Sequence, residues 1–147
     1  MPKFRYRMQS ILDIKIKLEE QARNEFAQAQ AALLEQEEIK QRLLEQKAAY
    51  EEEAKRLRSD ILSVRELKEN KNAIEAMKDK IRLQDIEIMK ATNFLESKRE
   101  ALSKVMQERK MHEKLREKAL EEYFEEEKAS ETKSIDEITS YSYGRKG

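Results

Sequence analysis

Residues 43–66 read LLEQKAAYEEEAKRLRSDILSVRE, and two features of this stretch decide the fold. The first is a step of four and three residues. It carries Leu43, Lys47, Tyr50, Ala54, Leu57, Ile61 and Val64 down one side of a helix, as the a/d seam of a coiled coil requires. The second is how the stretch ends. Ser63-Val64-Arg65-Glu66 places serine three residues ahead of glutamate, the capping box in which each side chain satisfies a backbone N–H of the other. Ser59 and Asp60 just before it favour turns over helix interiors. The reading is one coiled-coil domain, all-α: a first helix over about 3–58, a turn near 59–63 and a second helix over about 64–138. The second helix overhangs the first, and 139–147 is a frayed tail rich in poor helix formers.

The seam extends both ways. Upstream, Met8, Ile11, Leu18, Ala22, Ala29, Ala32 and Ile39 lead to Leu43, interrupted by Lys15, Glu25 and Gln36, with Phe26 and Leu33 one residue off. Downstream, Ile74, Met77, Ile81, Ile88, Ala91, Leu95, Leu102, Val105, His112 and Ala119 continue it, broken by Gln84, Lys98 and Arg109. So narrow a stripe must be buried against another helix. A turn near 61 brings Leu57 toward Leu67, Tyr50 toward Ile74, and Leu18 toward Val105 or Met106. Asn70-Lys71-Asn72 offers a second turn site with pairings of its own, but no capping box follows it. Left unfolded, ~140 residues of helix would extend ~210 Å and pair as a parallel homodimer, a generic scaffold. Charge favours the hairpin. Residues 3–17 hold five bases against Asp13, and residues 117–137 hold nine acids against three lysines; an antiparallel fold sets these near each other.

Composition removes other classes. Of 147 residues, 42% are charged and 38% hydrophobic, with acids and bases balanced at 31 each. The only proline is Pro2 and the only glycines are Gly144 and Gly147. Sheet folds with many turns and glycine-rich phosphate loops are therefore excluded. No cysteine is present, which removes disulfides, thiolate metal sites and cysteine nucleophiles. A balanced charge argues against nucleic acid as a partner. No apolar run approaches the ~20 residues of a membrane span, and Asp13, Lys15 and Lys17 interrupt any signal-peptide core. The expected compartment is the cytoplasm.

Candidate chemistry is sparse. His112 has no neighbouring nucleophile to orient and reads as a seam residue. The run from Glu121 to Glu127 reads as a solvated face, not a metal cage. No cofactor, metal or catalytic residue is expected, and the protein reads as no enzyme. Phe4, Tyr6, Met8, Ile11, Leu12, Ile14, Ile16 and Leu18, interspersed with bases, look in part like a membrane-surface helix; the plainer reading is a coiled-coil end with a second contact surface.

Three stretches carry a family resemblance: Phe4-Arg5-Tyr6-Arg7-Met8-Gln9-Ser10-Ile11-Leu12, Ser63-Val64-Arg65-Glu66-Leu67, and Glu131-Thr132-Lys133-Ser134-Ile135-Asp136-Glu137-Ile138. They resemble the flagellar FliJ family, as does the stretch from Glu113 to Tyr123. The resemblance implies a component of the flagellar type III export apparatus, an antiparallel two-helix coiled coil similar to the γ-subunit shaft of rotary ATPases. It implies association with the hexameric export ATPase FliI, contact with the cytoplasmic part of the export-gate protein FlhA, escort of export chaperones, and peripheral attachment to the inner membrane through that gate. For the gate contact it implies Leu43, Tyr50 and Met77. Gln46, Ala73 and Lys80 depart from the family's pattern there. The basic residues Arg5, Arg7, Lys15 and Lys17 are expected to meet the ATPase.

Overall fold

The computed structural model describes residues 3–59 and 63–146. It contains two helices, α1 (Gln9–Ser59, 51 residues) and α2 (Val64–Lys146, 83 residues), packed against each other as an antiparallel hairpin. The seam of α1 is thus filled by the chain's own second helix, which sets aside the parallel homodimer. Residues 60–62, on which most of the expected turn and the seam position Ile61 fall, lie outside the described residues. The contacts form two units: Ala22–Leu102, and Met1–Gln21 with Ser103–Gly147.

In the unit Ala22–Leu102, α1 presents small residues. Ala22, Ala29 and Ala54 are buried, and Met77 is the buried apolar residue of α2. Polar seam residues set the alignment. Gln84 Nε2 donates to both the backbone oxygen and Oε1 of Gln36, at 2.8 Å each, and Asn70 Nδ2 donates to the Tyr50 carbonyl at 2.9 Å. Both pairs are symmetric about residue 60, so the chain reverses at the first candidate site. The rival Asn70-Lys71-Asn72 lies inside α2, where Asn70 is a buried seam residue and not a turn former. Lys98 reaches Glu25 at 3.4 Å and Lys40 reaches Asp85 at 2.7 Å across the flanks. Ser63 caps α2: the Glu66 N–H donates to its Oγ at 3.3 Å, and the Leu67 N–H donates to its carbonyl at 3.0 Å. Val64 is exposed as the first residue of α2, so it does not join the seam, which on this helix starts with half-buried Leu67.

In the other unit, ion pairs occupy the seam. Glu19 is buried, and Arg109 grips it side-on, Nε to Oε2 at 2.5 Å and Nη2 to Oε1 at 3.2 Å. Lys15 bonds Glu108 at 3.0 Å, and Arg116 Nε donates to Gln9 Oε1 at 2.9 Å. Leu12 is the buried aliphatic residue here. Beyond Glu127, every described side chain of α2 is exposed, which is the expected overhang. The helix nevertheless continues to Lys146, past the expected end near 138, because nothing before Gly144 interrupts it.

Two expectations shift. The first helix begins at Gln9, not Lys3. Residues 3–6 carry no regular structure; half-buried Phe4 and Tyr6 alternate with exposed Lys3, Arg5 and Arg7, the period of an extended chain. The Gln9 N–H donates to the Tyr6 carbonyl at 3.1 Å where the chain turns into the helix. The seam of early α1 also moves by one residue. Leu12, Glu19 and Leu33 are the inward positions, whereas Ile11, Leu18 and Ala32 are exposed, and Phe26 is half-buried on the seam. The expected seam took two four-residue steps around Leu43. The structure keeps three and four alternating from Leu12 to Leu57, at the cost of taking in Glu19 and Lys40 beside the expected Lys15 and Lys47.

Two stability predictions follow from these contacts. Ser63→Ala should cost about 1 kcal/mol in denaturant unfolding, with Ser63→Asp restoring most of it; an unchanged midpoint for the alanine variant would show that the cap contributes nothing. Arg109→Leu, which removes the side-on guanidinium partner of the buried Glu19 carboxylate, should lower the melting temperature further than the double variant Glu19→Leu/Arg109→Leu.

Candidate partner-binding surfaces

In a two-helix protein a side chain either fills the seam or flanks it, and the expected gate-contact residues divide on that line. Met77 is 6% exposed: it packs inside the seam and has no side chain to offer a partner. Leu43 is half-buried at the seam edge. Beside it lies a shallow groove of about 540 Å³ lined by Lys80, Leu83, Gln84, Ile86, Glu87 and Lys90. Tyr50 is 37% exposed. It sits in a second cleft of about 350 Å³ with Glu53, Arg56, Leu57, Asn70 and Ala73 among its lining. Its backbone carbonyl is held by Asn70, so the ring is carried by a backbone pinned to the opposite helix. Leu43 and Tyr50 therefore border grooves, and Met77 is buried in the seam. Ala73 and Lys80, two of the departures from the family pattern, line the same two grooves.

Sequence reasoning passed over the outer face of α2 in this unit. Leu83, Ile86, Met89 and Phe94 are all exposed. The signal was present: 83, 86, 90 and 94 are spaced as one stripe off the seam, with Lys90 the only polar member. Lys98 caps the stripe, its Nζ 5.2 Å from the Phe94 ring centre.

The second candidate surface belongs to the unit with both chain ends. Phe4 packs on Tyr123 at 5.4 Å between ring centres, and the Arg116 guanidinium lies 5.7 Å over Phe4. This clasp carries Lys3, Arg5 and Arg7 across α2 beside Glu122 and Glu126, bounding a cleft of about 770 Å³. Burial, with Glu127 alongside, pushes the Tyr123 phenol up, so it stays protonated. The Tyr6 hydroxyl and His112 Nδ1 are buried without a hydrogen-bond partner. His112 holds its seam position. Of the four bases expected to meet the ATPase, Arg5, Arg7 and Lys17 are exposed, but Lys15 is committed to Glu108. That lysine, hydrogen-bonded to Glu108, holds the carboxyl below the usual carboxylate range. Hydrogen bonds from Arg109 to Glu19 and to Glu113 push the guanidinium further up. Among the described residues, no group of three or more His, Asp or Glu side chains could hold a metal ion, and no helix is long and apolar enough to cross a membrane.

Comparison with known proteins adds one match. The family model described as "Flagellar FliJ protein" matches residues 4–147. No curated protein and no solved structure matches the chain.

The geometry separates packing from recognition. Met77→Ala should destabilise the fold by about 2–5 kcal/mol as a buried truncation, whereas Tyr50→Ala should leave the unfolding midpoint nearly unchanged. The Lys15–Glu108 pair gives a pH signature. Because the Glu108 pKa is lower in the folded state, its contribution is complete above the unfolded carboxyl value, about 4.3. It is lost as the pH falls through the folded value. Melting temperatures should drop on acidification through that window, with a shallower slope in Lys15→Met; identical slopes would assign the acid sensitivity elsewhere.

Proposed function

Since the chain belongs to the flagellar FliJ family and is thereby a component of the flagellar export apparatus, we propose that it promotes assembly of the hexameric export ATPase FliI and couples that ATPase to the gate protein FlhA. It also escorts export chaperones, and it reaches the cytoplasmic face of the inner membrane through the gate. The observation that carries this reading is the family match over residues 4–147. The two surfaces described above suit the two contacts. The ATPase meets the unit holding both chain ends, where exposed Arg5 and Arg7 are displayed by the Phe4–Tyr123 clasp. Exposed charged groups give weak, repeatable contacts, and the half-buried Phe4 and Tyr123 rings pack on each other instead of anchoring a partner in a single orientation. The gate meets the flank that carries Leu43 and Tyr50.

The test is a pair of variants read against a pair of partners. Arg5→Glu/Arg7→Glu should reduce stimulation of the ATPase and leave gate binding intact. Tyr50→Ala should weaken binding to the cytoplasmic part of FlhA by roughly tenfold, as loss of an interface aromatic does, and leave ATPase stimulation intact. Lys15 is kept out of the charge reversal, since changing it would break an ion pair of the fold. If neither variant moved its assigned partner, the assignment of surfaces would be refuted.

A further inference from the structure

Within the unit Ala22–Leu102, α2 carries a second seam that the hairpin leaves open. From Ala76 the alternating steps of four and three give Lys80, Leu83 and Glu87, and they continue to Ala101 through Lys90, Phe94 and Ser97. That alternation is the spacing of a coiled-coil interface. Each member sits one residue before a residue of the seam that α1 fills, so the two stripes run along the same helix about 100° apart. Every member is exposed, Leu83 by 65% and Phe94 by 53%. The groove beside Leu43 is lined by Lys80, Leu83, Glu87 and Lys90 of this stripe.

The stripe is complementary to itself. From a point between Ile88 and Met89, both directions give a charged residue, a large apolar one, a polar one and an alanine, and the two charges are opposite in sign. Two copies laid antiparallel about that point would set Glu87 against Lys90, Leu83 against Phe94, Lys80 against Ser97 and Ala76 against Ala101, each pairing occurring twice. In one chain the Lys90 ammonium lies 3.3 Å from the Glu87 carboxylate. A half-turn therefore brings a base beside each acid. The alanines at the ends let the backbones approach. At the rim, Glu100 would come beside Lys80 and Asp79, and Asp79 is paired with Arg82 of its own helix.

We propose that this face of α2 is the interface of an antiparallel homodimer of hairpins, its occupant a second copy of the same chain. Self-complementarity selects that occupant. An unrelated helix would have to reproduce this order of acid, base and large residue, and a lipid surface would have to accept Glu87 at the centre of the stripe. A two-fold axis supplies the match without further requirement. Each α1 keeps its own α2, so this assembly differs from a parallel coil in which the first seam pairs between chains. The large apolar contacts are two Leu83–Phe94 layers, which makes the association reversible and not obligate. Dimerisation would cover the groove that Leu43 borders. The inference does not rest on the partner assignments above, because it needs no other protein.

Sedimentation equilibrium of the full chain over a range of concentrations tests it. The protein should pass from monomer to dimer in the micromolar range. Glu87→Lys and Lys90→Glu each replace two attractive contacts across the axis by two repulsive ones, so each should weaken the dimer by roughly tenfold. Mixed in equal amounts, the two variants should form a heterodimer about as readily as the unaltered chain, since every base then faces an acid. Glu75→Lys makes the same change of charge on another face and breaks an equivalent pair, Glu75 with Lys78; it should dimerise normally. A monomer at every concentration, single variants that dimerise like the unaltered chain, or a mixture that stays monomeric overturns the proposal. So does binding of the cytoplasmic part of FlhA or of anionic vesicles by a chain that stays monomeric, when Leu83→Asn/Phe94→Asn abolishes that binding. All substituted positions are exposed, and circular dichroism of each variant establishes that the helices are retained.

Discussion

The structure depends on an interface one stripe wide that repeats without a break in phase from Leu12 to Leu57 on α1. A two-helix contact has no second layer, so no large side chain among the described residues is fully buried. The residues that do close the interface are mostly alanines on α1. Alanine lets the helix backbones approach but contributes little apolar area. Neither does it distinguish one alignment from the next, because a shift by a heptad returns alanine to a similar site. Register therefore falls to the polar seam residues. Gln84 Nε2 bonds the Gln36 side chain and Arg109 bonds Glu19 in this alignment; a heptad either way sets Gln84 opposite Ala29 or Leu43 and Arg109 opposite Leu12 or Phe26. Losing these side-chain partners inside the interface costs more than forming them gains.

The two units solve the same packing problem with different chemistry. In Ala22–Leu102, Lys40 and Lys98 reach acids at the seam's flanks, while the contacts inside the seam are carried by amides that bond to a backbone carbonyl or to another amide. Such contacts are indifferent to salt and pH. In the unit that holds both chain ends the seam is ionic, and an extended segment is clasped by aromatic stacking under a guanidinium. Those contacts respond to ionic strength and to acid.

Much of this was legible in the residues. Three-four periodicity gave both helices and the seam positions of α2 from Ile74 to Ala119 apart from Arg116, because period is a local property that packing then uses. The turn was legible through Ser63, since a capping serine acts on its own helix and needs no partner. Where the reading drifted, the reason was non-local. On hydropathy alone Ile11 is as good a seam residue as Leu12, and Leu18 is a better one than Glu19. Only the presence of Glu108 and Arg109 on the opposite helix makes the charged positions inward. The extended start was visible as an alternation of aromatic and basic residues from Phe4 to Arg7, a period of two that was read as the edge of a helix. Leu43 and Tyr50 sit where a partner can reach them and Met77 does not, a distinction that family resemblance alone does not draw because it matches residue types and not exposure.

A two-helix fold also restricts where recognition can be placed. Seam residues cannot bind a partner without giving up the contacts that define the register, and the outermost face of each helix is too narrow to make a specific site by itself. What remains are the two flanks, where residues from both helices stand side by side and an ion pair or an amide bond holds them in relation. Tyr50, a seam position left 37% exposed, opens onto such a flank, with its backbone tied to Asn70. Leu83 and Lys90 lie on one, lining a groove with Leu43 and with Gln84, the amide bonded to Gln36. The polar contacts that set the register are thus the same contacts that fix the geometry of the flanks. A substitution that loosened the seam would blur both surfaces at once, so variants on the flanks, and not in the seam, are the ones able to separate one partner from another.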